Sequence, residues 1–279
     1  MKNLRLKLGS FSYETNQLVL QTIDLNLLAG QLVFILGKTK AGKSTLCQLL
    51  AGLIPTIVGG SFIGELLVDK VPQNKIPWKI WRQKIGVVLQ DPQLQLTGAV
   101  KTTAEELAFG LESLNLSRAQ LEQRVSSLLQ LFGLEKLATR DPFELSGGQQ
   151  QKLALASALI HQPEILILDD PFAQLDPQSQ MDLLDQLQKS KKQGALIFIA
   201  GSNCDLAAEY ADQLIILDQH TVIFQGSPQI GFNTLDLSAH GLSEPLVLTV
   251  AKKLRLQTAT KIFPTKLKDL KRLFANVTS

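Results

Sequence analysis

The chain has 279 residues, of which 45% are hydrophobic and 19% are charged. It is therefore long enough for one large domain with a small appendage, and it is not intrinsically disordered. The formal net charge of +3 is a basic excess too small to indicate nucleic-acid binding. Cys47 and Cys204 lack metal-ligand and redox spacing, and no apolar stretch reaches the length of a membrane span. We expect a cytosolic chain that meets a membrane only through a partner.

Hydrophobic periodicity predicts strands and helices that alternate along the chain. Strands are expected at 4–8, 18–28, 31–36, 59–71, 85–89, 165–168, 195–200 and 214–217, and helices at 44–53, 104–114, 118–132 and 145–160. Continuous apolar runs such as 32–36 are typical of strands buried inside a parallel sheet, so an α/β fold is expected. Beyond about 228 we expect a loop containing Gly231, Asn233 and His240, a short helix at 244–254 and a Lys-rich tail.

A phosphate-binding loop follows the apolar run 32–36. The motif GxxxxGK[ST] is matched in full, with one further hydroxyl residue behind it: Gly37, Lys38, Thr39, Lys40, Ala41, Gly42, Lys43, Ser44 and Thr45. In such a loop the backbone N–H groups wrap the phosphates, Lys43 contacts the β and γ oxygens, and the Ser44 hydroxyl ligates Mg²⁺. A strand before the loop and a helix after it are the context that this motif requires. The sequence therefore predicts binding of a nucleoside triphosphate with magnesium.

A second glycine-rich turn precedes the predicted helix at 145–160. It consists of Leu145, Ser146, Gly147, Gly148 and Gln149. A helix N-terminus presents N–H groups to an anion, but the phosphate loop already supplies one such site, so the second must serve another nucleotide. With the apolar strand that ends in Asp169-Asp170, this arrangement resembles the ATP-binding cassette (ABC) superfamily over about residues 4–228. In that family two cassettes face each other, and each phosphate loop is capped by the partner's signature segment.

The resemblance implies a P-loop NTPase fold of the ABC type. Its parts are a RecA-like parallel-sheet core, an antiparallel β subdomain, a helical subdomain that carries the signature, and a short C-terminal helical extension. We expect the cassette at 1–230 and the extension at 231–279, where it would serve dimerisation or packing. The cofactors implied are ATP and Mg²⁺.

Further site residues follow from the resemblance. Tyr13 lies at the family's distance upstream of the loop for the aromatic residue that stacks on adenine, although a tyrosine packed at a strand edge fits equally. Gln90 resembles the Q-loop glutamine, whose amide oxygen reaches Mg²⁺ or the attacking water. Asp169 would hold Mg²⁺ through its water shell, together with Ser44 and Gln90. Asp176 matches the aspartate of the D-loop.

Two positions in the ATP site depart from the family pattern. Lys40 stands where the family usually has glycine, which permits backbone angles that lysine adopts only with strain. Either the loop differs locally or its γ-phosphate end is altered, or the added cation tightens binding instead. Asp170 stands where hydrolytic cassettes have a glutamate that orients the attacking water. One methylene fewer withdraws the carboxylate by roughly 1.5 Å, and a displacement of about 1 Å can cost on the order of a hundredfold in rate.

A third departure is at Ser202. Aligned on Ala211-Asp212, it occupies the position of the switch histidine that contacts the γ-phosphate, and serine carries no charge near neutral pH. The chain's histidines lie elsewhere in the sequence, and we expect that none replaces it: His161, His220 and His240. All three departures fall on one composite site and none on the signature.

These departures suggest the weakened half of a heterodimer of cassettes. Such a chain would hold ATP and hydrolyse it poorly, while its signature completes the partner's competent site. The alternative is that aspartate and serine suffice and both sites hydrolyse ATP.

The stretches 90–95 and 104–112 resemble the ATPases of energy-coupling factor (ECF) importers of vitamins or metal ions. That resemblance implies a second ABC ATPase chain, a transmembrane coupling protein and a membrane substrate-binding component, at the cytoplasmic face of the cell membrane. A nucleotide-gated regulatory cassette without transport, or a fully active cassette of another importer, stays open. The basic tail would form an amphipathic helix, for dimerisation or lipid headgroups, or simply a solvated face.

Overall fold

The computed structural model describes residues 1–13, 17–111, 116–258 and 260–278. The strands are β1 Asn3–Ser12, β2 Leu18–Leu28, β3 Leu32–Leu36, β4 Ser61–Val68, β5 Val71–Pro72, β6 Ile85–Val88, β7 Ile165–Asp169, β8 Leu196–Gly201, β9 Gln213–Asp218 and β10 Thr221–Gly226. The helices are α1 Lys43–Leu50, α2 Trp78–Lys84, α3 Thr103–Phe109, α4 Arg118–Leu131, α5 Gly147–Leu159, α6 Pro177–Lys192, α7 Cys204–Tyr210, α8 Pro228–Thr234, α9 Leu246–Lys253 and α10 Leu267–Thr278.

A four-stranded antiparallel sheet has the order β2-β1-β4-β5. In β1 the buried Leu4, Leu6 and Leu8 alternate with Arg5 and Lys7, so one face packs into the core and the other faces solvent. This is the antiparallel subdomain that the sequence predicts.

A six-stranded sheet has the order β10-β9-β3-β8-β7-β6 and is parallel except at the β10 edge. All five residues of β3 and of β7 are buried, because both faces of these strands are covered. The carboxyl ends of the parallel strands lie at one edge of the sheet, which is where ligands bind in open α/β folds. The topology therefore brings the segments after β3, β6, β7, β8 and β9 together.

The helices α3, α4 and α5 lie between β6 and β7, where the sequence predicts the helical subdomain. α3 and α4 each begin with a capping box, from Thr102 with Glu105 and from Ser117 with Gln120. α3 ends at Phe109, before the boundary expected at 114, and residue 114 lies outside the described residues. We find no described helix with the length and hydropathy needed to span a lipid bilayer.

The C-terminal segment corrects one prediction. The residues expected to form a loop include α8, which contains Gly231 and Asn233. Gly231 lies so close to Phe224 that a Cβ there would come within 2.6 Å of the ring, so the glycine allows α8 to pack on β10. Phe232 and Leu248 are buried in the main hydrophobic core, which ties the start of this segment to the cassette.

Candidate nucleotide-binding site

A cavity of about 640 Å³ lies at the carboxyl edge of the parallel sheet. Most of the predicted site residues line it: Gly37, Lys38, Thr39, Lys40, Gly42, Lys43, Ser44, Thr45, Gln90, Asp169, Asp170 and Ser202. They come from four chain segments separated by as many as 165 residues, from 37 to 202. Parallel strand order, and not local sequence, brings them together.

The glycines of the loop are required by close packing. A Cβ on Gly37 would lie 2.4 Å from the carbonyl oxygen of Leu217, and one on Gly42 would lie 2.7 Å from Leu20. Gly42 also has a φ of +102°, which L side chains rarely adopt. The loop is thus pressed against β9 and β2, and its open side faces the cavity.

Lys43 extends back across the loop. Its ammonium donates hydrogen bonds to the carbonyl oxygens of Gly37 (2.7 Å) and Lys38 (3.0 Å). Burial lowers the pKa of Lys43, and the nearby Asp169 and Asp170 partly offset this effect. The ammonium is therefore positioned within the loop, where phosphate oxygens would compete for its donors.

Lys40 adopts a left-handed backbone conformation with a φ of +66°. For a non-glycine residue this conformation costs roughly 1–2 kcal/mol. The strain expected from the sequence is therefore present, on the wall of the cavity.

Asp169 is buried at the end of β7. Burial raises the pKa of its carboxyl group, Asp170 raises it further, and a hydrogen bond from Ser44 lowers it. Asp169, Ser44 and Gln90 all line the cavity and supply hard oxygen atoms, the ligand type that Mg²⁺ prefers. A divalent cation would also neutralise the buried charge, so these residues fit magnesium.

Asp170 also has a left-handed backbone, with a φ of +51°, and its N–H donates to the carbonyl oxygen of Ala200 (2.8 Å). Burial raises the pKa of its carboxyl group, whereas Lys43 lowers it. The carboxylate lies near Gly201, where an added Cβ would be 3.7 Å from its Oδ1 atom. Asp170 and Ser202 thus line the same cavity.

Gln90 is exposed at the cavity edge, directly after Leu89. Gln95 fixes the turn behind it. The Oε1 atom of Gln95 accepts from the N–H of Leu89 (2.8 Å), and its amide donates to the carbonyl oxygen of Val87 (2.7 Å). Sequence reasoning missed this role, since the signal was only an amide residue a few positions away.

Tyr13 contacts the helix that follows the phosphate loop. Its hydroxyl lies 3.1 Å from the Oγ1 atom of Thr45 and 3.4 Å from the Oε1 atom of Gln48, and its ring stands edge-on to Phe11. Thr45 itself lines the cavity. The tyrosine is therefore adjacent to the site, and adenine stacking stays a prediction.

A cluster at the far side of the loop was not predicted. The buried Asp218 pairs with the ammonium of Lys38 (2.9 Å) and with the Nδ1 atom of His240 (3.0 Å). These two partners hold the pKa of Asp218 below its usual value. Gly241, next to His240, lines the cavity. The C-terminal segment therefore reaches the phosphate loop, whereas the sequence analysis placed His240 in a loop beyond residue 228 and gave it no part in the site.

The signature segment lies elsewhere. Among the described residues, the cavity lining contains none of 145–149. Ser146 and Gln149 form a capping box at the start of α5, in which Gln149 accepts from the N–H of Ser146 (3.0 Å). Its glycines face Gln174, and a Cβ on Gly148 would lie 2.9 Å from that residue's carbonyl oxygen.

Asp176 caps α6 by accepting from the N–H of Ser179 (2.9 Å), and Lys152 of α5 lies 3.3 Å from its carboxylate. Hydrogen bonds from Ser179 hold the pKa of Asp176 well below its usual range, with a smaller contribution from Lys152. The predicted D-loop and signature residues thus form a second cluster in the same chain.

Comparisons with known proteins place this geometry in a family. Residues 20–173 match the family model described as ABC transporter. The energy-coupling factor transporter ATP-binding protein EcfA2 of Bacillus cereus is 36% identical over 243 residues, which cover 85% of this chain and 82% of that protein. A putative ABC transporter ATP-binding protein of Pyrococcus horikoshii is 32% identical over 249 residues, or 88% of this chain and 87% of the relative.

Solved structures agree. The structure of cbiO1 from Clostridium perfringens, described as part of the ABC transporter complex cbiONQ, matches with a TM-score of 0.70 and 29% identity, covering 90% of this chain and 95% of its own. A dimeric bacterial ABC transporter cassette matches with a TM-score of 0.71 and 26% identity, covering 81% of this chain and 98% of its own. The predicted fold class is confirmed, and the chain belongs to the ABC transporter family as an ATP-binding subunit.

Proposed function

We propose that this chain is the weakly hydrolysing ATP-binding subunit of an ECF-type importer, paired with a second, non-identical cassette. The similarity to EcfA2, and to cbiO1 of the cbiONQ complex, supports this type of transporter. The complex would also contain a transmembrane coupling protein and a membrane substrate-binding component, and it would take up a vitamin or a metal ion. The chain would sit on the cytoplasmic face of the membrane.

The proposal of two unequal cassettes rests on where this chain departs from the family sequence pattern. Lys40, Asp170 and Ser202 all line one cavity. The signature segment at 145–149 lies outside that cavity in the described part of the chain, and its motif is intact. ATP bound to this chain would therefore be held at an altered site, while Ser146 and its neighbours would complete the partner's site.

The residues would share the work on ATP as follows. Lys43 and the loop N–H groups would bind the phosphates, while Ser44, Asp169 and Gln90 would hold Mg²⁺, which neutralises phosphate charge. Asp170 would orient water with a carboxylate that is one methylene too short. Ser202 would offer the γ-phosphate a hydroxyl in place of an imidazole. Hydrolysis at this site is expected to be slow.

The test is single-turnover hydrolysis by the reconstituted pair, with the partner's catalytic glutamate changed to glutamine. We expect little ATP to be hydrolysed on the timescale of normal turnover, and a substantial remaining rate would reject the unequal pair. As the reciprocal control, Asp170→Asn in this chain beside an unaltered partner should leave most of the turnover. Co-purification of a transmembrane subunit in detergent separates a transporter from a regulatory cassette, since a regulatory cassette would bind ATP without one.

A further inference from the structure

The starting observation is that Lys40 keeps a left-handed backbone where glycine would be unstrained. Its φ is +66°, its side chain is exposed, and the residue lies on the cavity wall. Strained residues that persist at a binding site are often held there for what the side chain does. The ammonium group is the feature that a glycine lacks.

The other two lysines of the loop are already engaged. Lys38 pairs with Asp218, and Lys43 donates to two carbonyl oxygens of the loop. Lys40 makes no hydrogen bond and no ion pair with any other residue that the structure describes. Its charge is thus available to an anion that enters the cavity.

The cavity's own carboxylates are not that anion. Lys40 forms no ion pair with Asp169 or Asp170 in the part of the chain that the structure describes, although all three residues line the cavity. The remaining anion is the nucleotide, whose terminal phosphate carries the most negative charge.

We propose that Lys40 is an additional phosphate-binding residue, whose ammonium contacts the terminal phosphate of ATP and supplies the positive charge that Ser202 cannot. The inference rests on the proposed function, because it explains how an altered site would still hold ATP. A charge-assisted contact of this kind favours ATP over ADP, since ADP lacks the phosphate that is contacted. Lys40 would retain ATP without speeding its hydrolysis.

The test compares equilibrium binding of MgATP and MgADP to the full chain and to three variants, Lys40→Gln, Lys40→Arg and Lys40→Gly. Calorimetry at low and at physiological salt supplies the affinities. For Lys40→Gln we expect on the order of tenfold weaker ATP binding, nearly unchanged ADP binding and a smaller dependence on salt. Lys40→Arg should keep most of the preference for ATP. Lys75→Gln, which removes an exposed lysine outside the cavity, is the matched control and should change neither affinity.

Lys40→Gly makes the result decisive, because it removes both the charge and the strain. If lysine is only tolerated at this position, Lys40→Gly will bind ATP as tightly as the unaltered chain or more tightly, and Lys40→Gln will keep the same preference for ATP. Either result overturns the role of Lys40 and leaves the proposed function intact. If the unaltered chain binds neither nucleotide, the proposed function fails and this inference fails with it.

Discussion

The cavity and the signature segment present opposite local chemistry within one chain. Around the cavity, Lys40 and Asp170 have strained backbones, and burial raises the pKa values of Asp169 and Asp170. At the signature, the Gln149 side chain accepts from the N–H of Ser146 at the start of α5 (3.0 Å), and the buried side chain of Gln150 donates to the carbonyl oxygen of Pro142 (3.2 Å).

A motif can therefore be intact because its own helix needs it. The Gln149 side chain accepts from the N–H of Ser146 within the chain itself, whether or not a nucleotide is near. The cavity, in contrast, holds two carboxyl groups whose pKa values are raised by burial and two residues with left-handed backbones. A mutation at the signature should therefore affect folding and a partner's nucleotide, whereas one at the cavity should affect this chain's nucleotide.

The largest effect is expected at the signature. In the reconstituted pair, Ser146→Ala should lower turnover by on the order of 10²–10³-fold, if its hydroxyl stabilises charge on the partner's nucleotide. ATP affinity of the isolated chain should stay unchanged. Turnover of the pair and calorimetric binding to the single chain measure the two quantities.

The matched control for this variant is Ser117→Ala, which removes the N-cap serine of α4. Both variants should lose about 1 kcal/mol of stability, as is usual for a serine N-cap. If the two variants reduce turnover equally, the signature serves only its helix, and the contrast between the two regions disappears.

The next effect concerns the short carboxylate. Asp170→Glu should raise single-turnover hydrolysis at this chain's site by roughly tenfold to a hundredfold, because it restores the reach of the carboxylate. Asp170→Asn, of nearly equal size to the native residue, should give no gain. The measurement uses the pair whose partner lacks its own catalytic glutamate. No gain with glutamate would mean that side-chain length is not what weakens this site.

The sequence predicted the parts of this contrast that depend on local pattern. Continuous apolar runs identified β3 and β7, and the glycine positions identified the loop at Gly37 and Gly42. The sequence analysis missed the helix α8 and the Asp218 cluster, and both depend on contacts between residues far apart in the chain. The helix α8 forms despite Gly231 because close packing on Phe224 favours a residue without a side chain.

The Asp218 cluster shows more clearly that contacts between distant residues cannot be predicted from local sequence patterns. His240 follows Asp218 by 22 residues, and Lys38 precedes it by 180. Their side-chain types alone do not predict that these three residues pair with one another. Only the strand order, with β9 beside β3, brings the end of β9 next to the phosphate loop.

A smaller effect, on stability, is expected when the Asp218 cluster beside the phosphate loop is broken. Asp218→Asn removes the charge that pairs with Lys38 and His240, so we expect a loss of about 1–2 kcal/mol in the free energy of unfolding. Asp24→Asn is the control, because Asp24 pairs with Arg5 on an exposed surface and should cost less than about 1 kcal/mol. Denaturant titration measures both. Equal losses would mean that the C-terminal segment is not held at the loop by this cluster.

The smallest effect is expected at His161, which lies between the signature helix α5 and the strand β6 that leads to Gln90. His161 follows α5, and its Nε2 atom lies 2.8 Å from the carbonyl oxygen of Ile85, at the start of the strand that leads to Gln90. Burial lowers the pKa of His161, the positive charge of Arg124 lowers it further, and the hydrogen bond with Ile85 partly offsets this.

Because the folded-state pKa lies below the unfolded value of about 6.5, the unfolded chain takes up a proton that the folded chain resists. The contribution of His161 to stability is therefore complete above that value. It decreases as the pH falls from about 7 towards the folded-state pKa, and it is constant below it. His161→Gln should flatten the dependence of unfolding free energy on pH below about 7. Denaturant titration at a series of pH values measures this dependence. If His161→Gln keeps the slope of the unaltered chain, the proton is not taken up at this histidine, and the contact of His161 with Ile85 contributes to stability independently of pH.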